Sequence, residues 1–170
     1  MNQFIQELLR GNGAYSNDSV CMVKRHQLSE EGQKPKAIIV TCADSRVIPE
    51  QIFRQEMGTF LTIKNAGARI TDDVLRDIAS FIKKFDSVFM VIHMAHSQCA
   101  HYEDAVKHGI DIEPEILESL RKSFNSEEQV IDQISKMNMV EGVKRISEVV
   151  PKHIEVRGAF YDIKAGSVFF

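Results

Sequence analysis

The run Ala37-Ile38-Ile39-Val40 leading straight into Thr41-Cys42-Ala43-Asp44-Ser45-Arg46 constrains this chain more than any other stretch. An apolar run rich in β-branched residues is the pattern of a strand buried on both faces, as in a covered parallel sheet. A thiol, a carboxylate and a guanidinium follow directly. Pro49 then suits the first turn of a helix, expected over about Pro49–Glu56 and ended by Gly58. A buried strand that ends in functional groups before a helix is where open α/β sheets place their ligands.

The remaining pattern supplies the sheet that such a strand needs. Strands are expected at Lys36–Thr41, Thr59–Ile63 and Ser87–His93, with helical spacing between them. Thr71-Asp72-Asp73 reads as a helix N-terminus, with acidic residues where the helix dipole favours them. Val74, Leu75, Ile78 and Ile82 give that helix one buried face. Three strands separated by helices argue for parallel βαβ units with helices on both faces. Further helices are expected at Pro114–Phe124, Ser126–Met137 and Val140–Val149, lying outside the site. A strand at Ile154–Ile163 should join the sheet edge, with a turn at Lys164-Ala165-Gly166. At the start, Phe4, Ile5, Leu8 and Leu9 make one apolar face of a helix over Asn2–Arg10 that Gly11 and Gly13 should stop. The expectation is one α/β domain over residues 1–170, a mainly parallel central sheet flanked by helices, with an N-terminal helical arm over about 1–35.

Composition narrows the function classes. A formal charge of −3 leaves no basic footprint for nucleic acid or acidic lipid. No run approaches the length of a membrane span, and Met1–Arg10 lacks a signal-peptide core. Cys21, Cys42 and Cys99 are too few and too widely spaced for a disulfide framework. A cytoplasmic, reducing setting follows as the expectation, and it leaves thiolates free for metal.

Chemistry gathers at two places, each just past an expected parallel strand: Cys42, Asp44 and Arg46 after the first, His96-Ser97-Gln98-Cys99 after the third. Neighbouring parallel strands bring these loops to one end of the sheet. Two thiolates and an imidazole are donors that zinc prefers, and three of them leave a fourth position open, as in catalytic sites. Each feature also has an ordinary reading. Cys42 alone could be an inert buried thiol, Asp44–Arg46 a structural ion pair, and His93 or His101 could compete with His96 as a ligand. Joint placement at two strand ends favours the metal reading.

These segments resemble the signature pair of the β-class carbonic anhydrases. Leu8-Leu9-Arg10-Gly11-Asn12, Lys64-Asn65-Ala66-Gly67 and Val156-Arg157-Gly158-Ala159-Phe160-Tyr161-Asp162 extend the likeness, and Thr71-Asp72-Asp73 is similar to the shorter, prokaryotic branch. The resemblance implies Zn²⁺ on Cys42, His96 and Cys99, with Asp44 and Arg46 as a catalytic carboxylate–guanidinium dyad. It implies reversible hydration of CO₂ to bicarbonate and a proton by zinc-bound hydroxide, in a homodimer or higher homo-oligomer. Alternatives are hydrolysis of carbonyl sulfide or carbon disulfide on the same zinc site, and a zinc-binding homologue without turnover. The chain departs from the family's pattern at Ala95 and Ala100, which flank the second signature, and at Ala68, where relatives often carry glycine. His101 reads as a surface histidine after the loop or, alternatively, a proton shuttle.

Overall fold

A computed structural model describes residues 2–109 and 112–170. Two compact units divide the chain, one ending at Lys34 and one over Pro35–Phe170.

The first unit is a helix pair, α1 (Gln3–Asn17) and α2 (Ser19–Glu30). Asn2 and Asp18 cap them, each side-chain oxygen accepting a backbone N–H at 2.8 Å, from Phe4 and Cys21. Gly11 and Gly13 do not stop α1, contrary to the sequence expectation. An interior glycine costs a helix only about 1 kcal/mol, and the break falls at Asp18, whose extended backbone starts the next helix. Arg25 donates to the carbonyls of Tyr15 and Ser16 and lies over the Tyr15 ring, tying α2 back to the end of α1. Phe4, Ile5, Leu8 and Leu9 are exposed.

The second unit holds β1 (Ala37–Cys42), α3 (Pro49–Ile52), β2 (Phe60–Asn65), α4 (Asp72–Lys84), β3 (Met90–His96) and α5 (Ala100–His108). After these come α6 (Pro114–Ser123), α7 (Glu127–Val149), β4 (Glu155–Asp162) and β5 (Ser167–Phe169). The strands form one sheet in the order β2-β1-β3-β4-β5, parallel except for β5. The period of two along each strand sorts the core. Ile38, Val40 and Val91 face α4 and α7 through Val74, Ile78 and Ile146, while Ile39, Ile92 and Met94 point to the other face with Val47 and Ala159.

Several boundaries differ from the sequence expectation. The third strand starts at Met90 and runs to His96, because its ladder with β4 continues to His96↔Tyr161. An unbroken apolar run marks neither end, so only pairing fixes them. The strand expected at the edge is β4, and β5 covers it. The helix from Pro49 is a single turn. The two helices expected over 126–149 are one 23-residue helix, α7, since Asn138 and Met139 offer no breaker.

One buried group ties α7 to the sheet. His93, fully buried in β3, has Nε2 at 2.6 Å from the Ala68 carbonyl and Nδ1 at 3.1 Å from that of Met139. This disposes of His93 as a metal ligand. Burial holds its pKa below the ordinary value, against two carbonyls that favour the charged ring. The unfolded chain therefore binds a proton near pH 6.5 that the folded chain refuses. Stability from this group is complete above about pH 6.5 and falls as pH drops below it, by at most about 1.4 kcal/mol per pH unit. Urea unfolding of wild type and His93→Gln on both sides of that pH should show a shallower acid loss in the variant. Equal slopes would show that His93 does not titrate on unfolding.

Candidate metal centre

The C-terminal ends of β1 and β3 lie side by side, with Cys42 closing the first and His96 the second. Cys99 follows at the N-cap of α5. Among the described residues, the donor atoms of Cys42, His96 and Cys99 form a group all within 4.8 Å of one another, and all three residues are buried. The set can hold a metal ion.

Three observations test whether it fits zinc. The sulfurs of Cys42 and Cys99 are 3.8 Å apart, far beyond the ~2.05 Å of a disulfide. Thiolates at about 2.3 Å from a tetrahedral zinc stand about 3.8 Å from each other, so the spacing is that tetrahedron's edge. His96 Nδ1 lies 2.8 Å from the Ser97 carbonyl, which places the proton on Nδ1 and leaves Nε2 a free lone pair. That Nε2 is buried and has no hydrogen-bond partner. A buried imidazole nitrogen left bare toward two sulfurs is a donor set without its acceptor.

The thiols are electrostatically prepared. The hydrogen-bonded contact with the Cys99 sulfur draws the Cys42 thiol well below its usual range, against burial, helped by His96 and by the backbone N–H groups of Asp44 and Gly67. The same shared proton and burial push Cys99 up, while the N–H groups of Tyr102 and His101 at the start of α5 favour its thiolate. The two sulfurs thus compete for one proton, which an arriving cation would displace.

Asp44 stands two residues beyond Cys42, held by Arg46 through both carboxylate oxygens, with Nε to Oδ1 at 3.0 Å and Nη2 to Oδ2 at 2.7 Å. The Arg46 backbone N–H adds a third bond to Oδ1 at 2.9 Å. These bonds, the guanidinium first, hold the Asp44 pKa down to about 2. With both oxygens engaged by Arg46, the carboxylate sits beside the donor set without joining it. Arg46 also donates to the Gln98 carbonyl at 3.1 Å, so the β1 loop is latched onto the loop that ends in Cys99.

That second loop is clamped residue by residue. Ser135 on α7 donates to the His96 carbonyl. The Ser97 N–H reaches Tyr161 O, and the Ser97 hydroxyl accepts from Ile163 N–H. Gln98 has φ +56, in the left-handed region, which costs a residue with a Cβ about 1–2 kcal/mol. Its N–H donates to Asp132 at 2.8 Å and its side chain to Glu128 at 2.9 Å, which also takes Lys164 at 2.6 Å. The expectation that helices after Pro114 lie outside the site is therefore wrong for α7. The available signal was Ser135, a polar residue sharing the inward stripe of Val130, Ile131 and Ile134.

The departures flagged in the sequence sort themselves. Ala95 is an ordinary buried strand residue, and Ala100 opens α5 in helical backbone. Ala68 does sit at φ +54, where glycine would be free of strain. Its carbonyl is held by His93, and by Asn138 at 3.4 Å. His101 is half-buried rather than fully exposed. Its ring lies over Gly67, where a Cβ would come within 2.3 Å of Cδ2, and its Nε2 is buried without a partner.

Comparison with known proteins agrees with this geometry. The family described as carbonic anhydrase matches residues 37–168. Carbonic anhydrase 2 of Mycobacterium tuberculosis is 38% identical over 68 residues, which span 40% of this chain and 32% of that protein. The chain thus matches about a third of that relative's length. A tetrameric β-carbonic anhydrase from Sordaria macrospora superposes with a TM-score of 0.76 at 20% identity, covering 99% of this chain and 96% of that one. A carbon disulfide hydrolase shares the fold with a TM-score of 0.57 at 19% identity, over 92% and 90% of the two chains.

Proposed function

From a chain that belongs to the carbonic anhydrase family and carries its β-class fold, we propose a zinc lyase that hydrates CO₂ reversibly to bicarbonate and a proton. The observation that carries this reading is the pairing of an open three-donor set with a carboxylate restrained beside it. A purely structural zinc site uses four protein ligands and has no need of such a dyad.

Cys42, His96 and Cys99 would hold Zn²⁺, which supplies Lewis acidity that brings the pKa of water toward neutrality. Two thiolates cancel the charge of the ion, and His96 offers Nε2 because Ser97 holds Nδ1. Asp44 is ionised at any working pH and can only accept hydrogen bonds. It takes one from the attacking water and so turns the lone pair of that water toward the CO₂ carbon. Arg46 keeps both oxygens of Asp44 engaged, which leaves the fourth position free for substrate chemistry.

The reading extends to a homo-oligomer, since α1 leaves Phe4, Ile5, Leu8 and Leu9 exposed as apolar area that a second copy would cover. The three free cysteines fit a cytoplasmic setting, and among the described residues no helix is long and apolar enough to cross a membrane.

Stopped-flow hydration of CO₂ with a pH indicator tests the proposal, run beside sulfide release from carbonyl sulfide. Asp44→Asn should retain its zinc and lose turnover by about 10–100-fold, the scale for partners outside the coordination shell. Faster carbonyl sulfide turnover than CO₂ hydration would reassign the substrate. Unchanged CO₂ hydration in Asp44→Asn would remove the dyad from the mechanism.

A further inference from the structure

We infer that Asp132, on α7, is a positioning residue for the reaction, acting on Asp44 through the Gln98 backbone and Arg46. This rests on the function proposed above.

One chain of contacts links Asp132 to Asp44. Gln98 lies between His96 and Cys99 and holds a left-handed backbone that a side chain disfavours. A residue stays there only if the peptide groups on both sides of its Cα are held. The N–H on one side donates to Asp132 Oδ1, and the carbonyl on the other accepts from Arg46 Nη2. Released to right-handed or extended backbone, Gln98 would turn its carbonyl away from Arg46. The guanidinium would then lose the fixed acceptor that sets where it holds Asp44.

Asp132 suits this task better than its neighbours. It is half-buried and bonds the backbone directly, whereas Glu128 is exposed and reaches only the Gln98 side chain. Ser135, one turn further along α7, fixes the His96 carbonyl instead. Asp132 therefore sets the geometry of the dyad, and Ser135 that of the imidazole. Neither needs to touch substrate.

The test uses Asp132→Ala, Asp132→Asn and Gln98→Gly, alone and with Asp132→Ala, with Arg46→Ala as reference. Each protein is loaded with zinc for kinetics and with Co²⁺ for its visible spectrum, which reports whether a carboxylate has joined the metal. Asp132→Ala should lower kcat about tenfold at full metal content and shift the cobalt bands toward those of Arg46→Ala. Asp132→Asn keeps an acceptor oxygen and should recover most of kcat. Glycine accepts the left-handed backbone without strain, so in the Gln98→Gly background the loss caused by Asp132→Ala should shrink to about twofold. Should Asp132→Ala fold poorly, the asparagine variant and the double variant still decide.

A wild-type cobalt spectrum and kcat in Asp132→Ala, or fully additive losses in the double variant, would overturn the inference. An Arg46→Ala protein that hydrates CO₂ normally would instead overturn the functional reading on which it rests.

Discussion

Cys42→Ser should empty the proposed metal centre: zinc content is expected to drop from about one ion per chain to a trace, and the proposed CO₂ hydration to fall to the buffer rate. A serine hydroxyl can still accept the N–H groups of Asp44 and Gly67 that face the sulfur, so the local fold has no reason to collapse. Two donors would remain, Cys99 and His96, and a neutral hydroxyl is a poor substitute for a thiolate. The loss in affinity should exceed the roughly 10–100-fold that removal of an outer-shell partner costs. Metal analysis after dialysis, with circular dichroism to confirm the fold, measures it. A full zinc complement in this variant would mean that the cluster of Cys42, His96 and Cys99 is not where the ion sits. His96→Ala is the complementary control, because His93 is locked between two carbonyls and cannot replace it.

Gly142→Ala should be strongly destabilising, although it adds a single methyl in helical backbone. A Cβ there would lie 2.2 Å from His93 Nδ1, 2.3 Å from its Cε1 and 2.7 Å from Ile70 Cγ1. His93 has no room to yield, because its ring is fully buried with its two nitrogens packed against the carbonyls of Ala68 and Met139. Helix α7 would have to lift off β3 and drag the packing of Ile146 with it. Overpacking of this kind costs about 3 kcal/mol or more, which lowers Tm by roughly 6–12 °C in a protein of this size. Calorimetry measures it, and a Tm within about 2 °C of wild type would show that α7 moves freely against the sheet. The cost should be largely relieved when His93 is also reduced to alanine, since the two changes share one contact.

Most of the centre was legible in the chain because it depends on strand ends. Cys42 and His96 close two parallel neighbours, and parallel topology alone brings such ends together. Asp44 and Arg46 were legible because a separation of two suits a local bidentate pair. The clamp was legible only as Ser135, a polar residue in an apolar stripe, and its partners were not. Asp132 and Ser135 lie 34 and 39 residues from the residues they hold, and nothing in their spacing announces a partner at that distance. The left-handed Gln98 was equally hidden, since its sequence neighbours include no glycine or asparagine to mark a turn. Strand ends were misplaced for a related reason: Ser87 to Met94 is nearly uniformly apolar, and only the ladder to β4 decides where pairing stops.

Helix α7 makes four of its contacts from one stripe, at 132, 135, 139 and 142: a carboxylate for Gln98, a hydroxyl for His96, a carbonyl for His93 and a bare Cα against the same ring. Steps of three, four and three residues keep these positions on one side of the cylinder over about 15 Å. The helix therefore works as a ruler whose graduations can be changed singly but not shifted. Removing one residue between Ser135 and Gly142 turns everything beyond it by about 100° and draws it back by about 1.5 Å. Such a deletion would present a side chain to His93 in place of the glycine. Length change in this gene segment should be far less tolerated than substitution at the exposed residues of the same helix, Lys136, Val140 and Glu141.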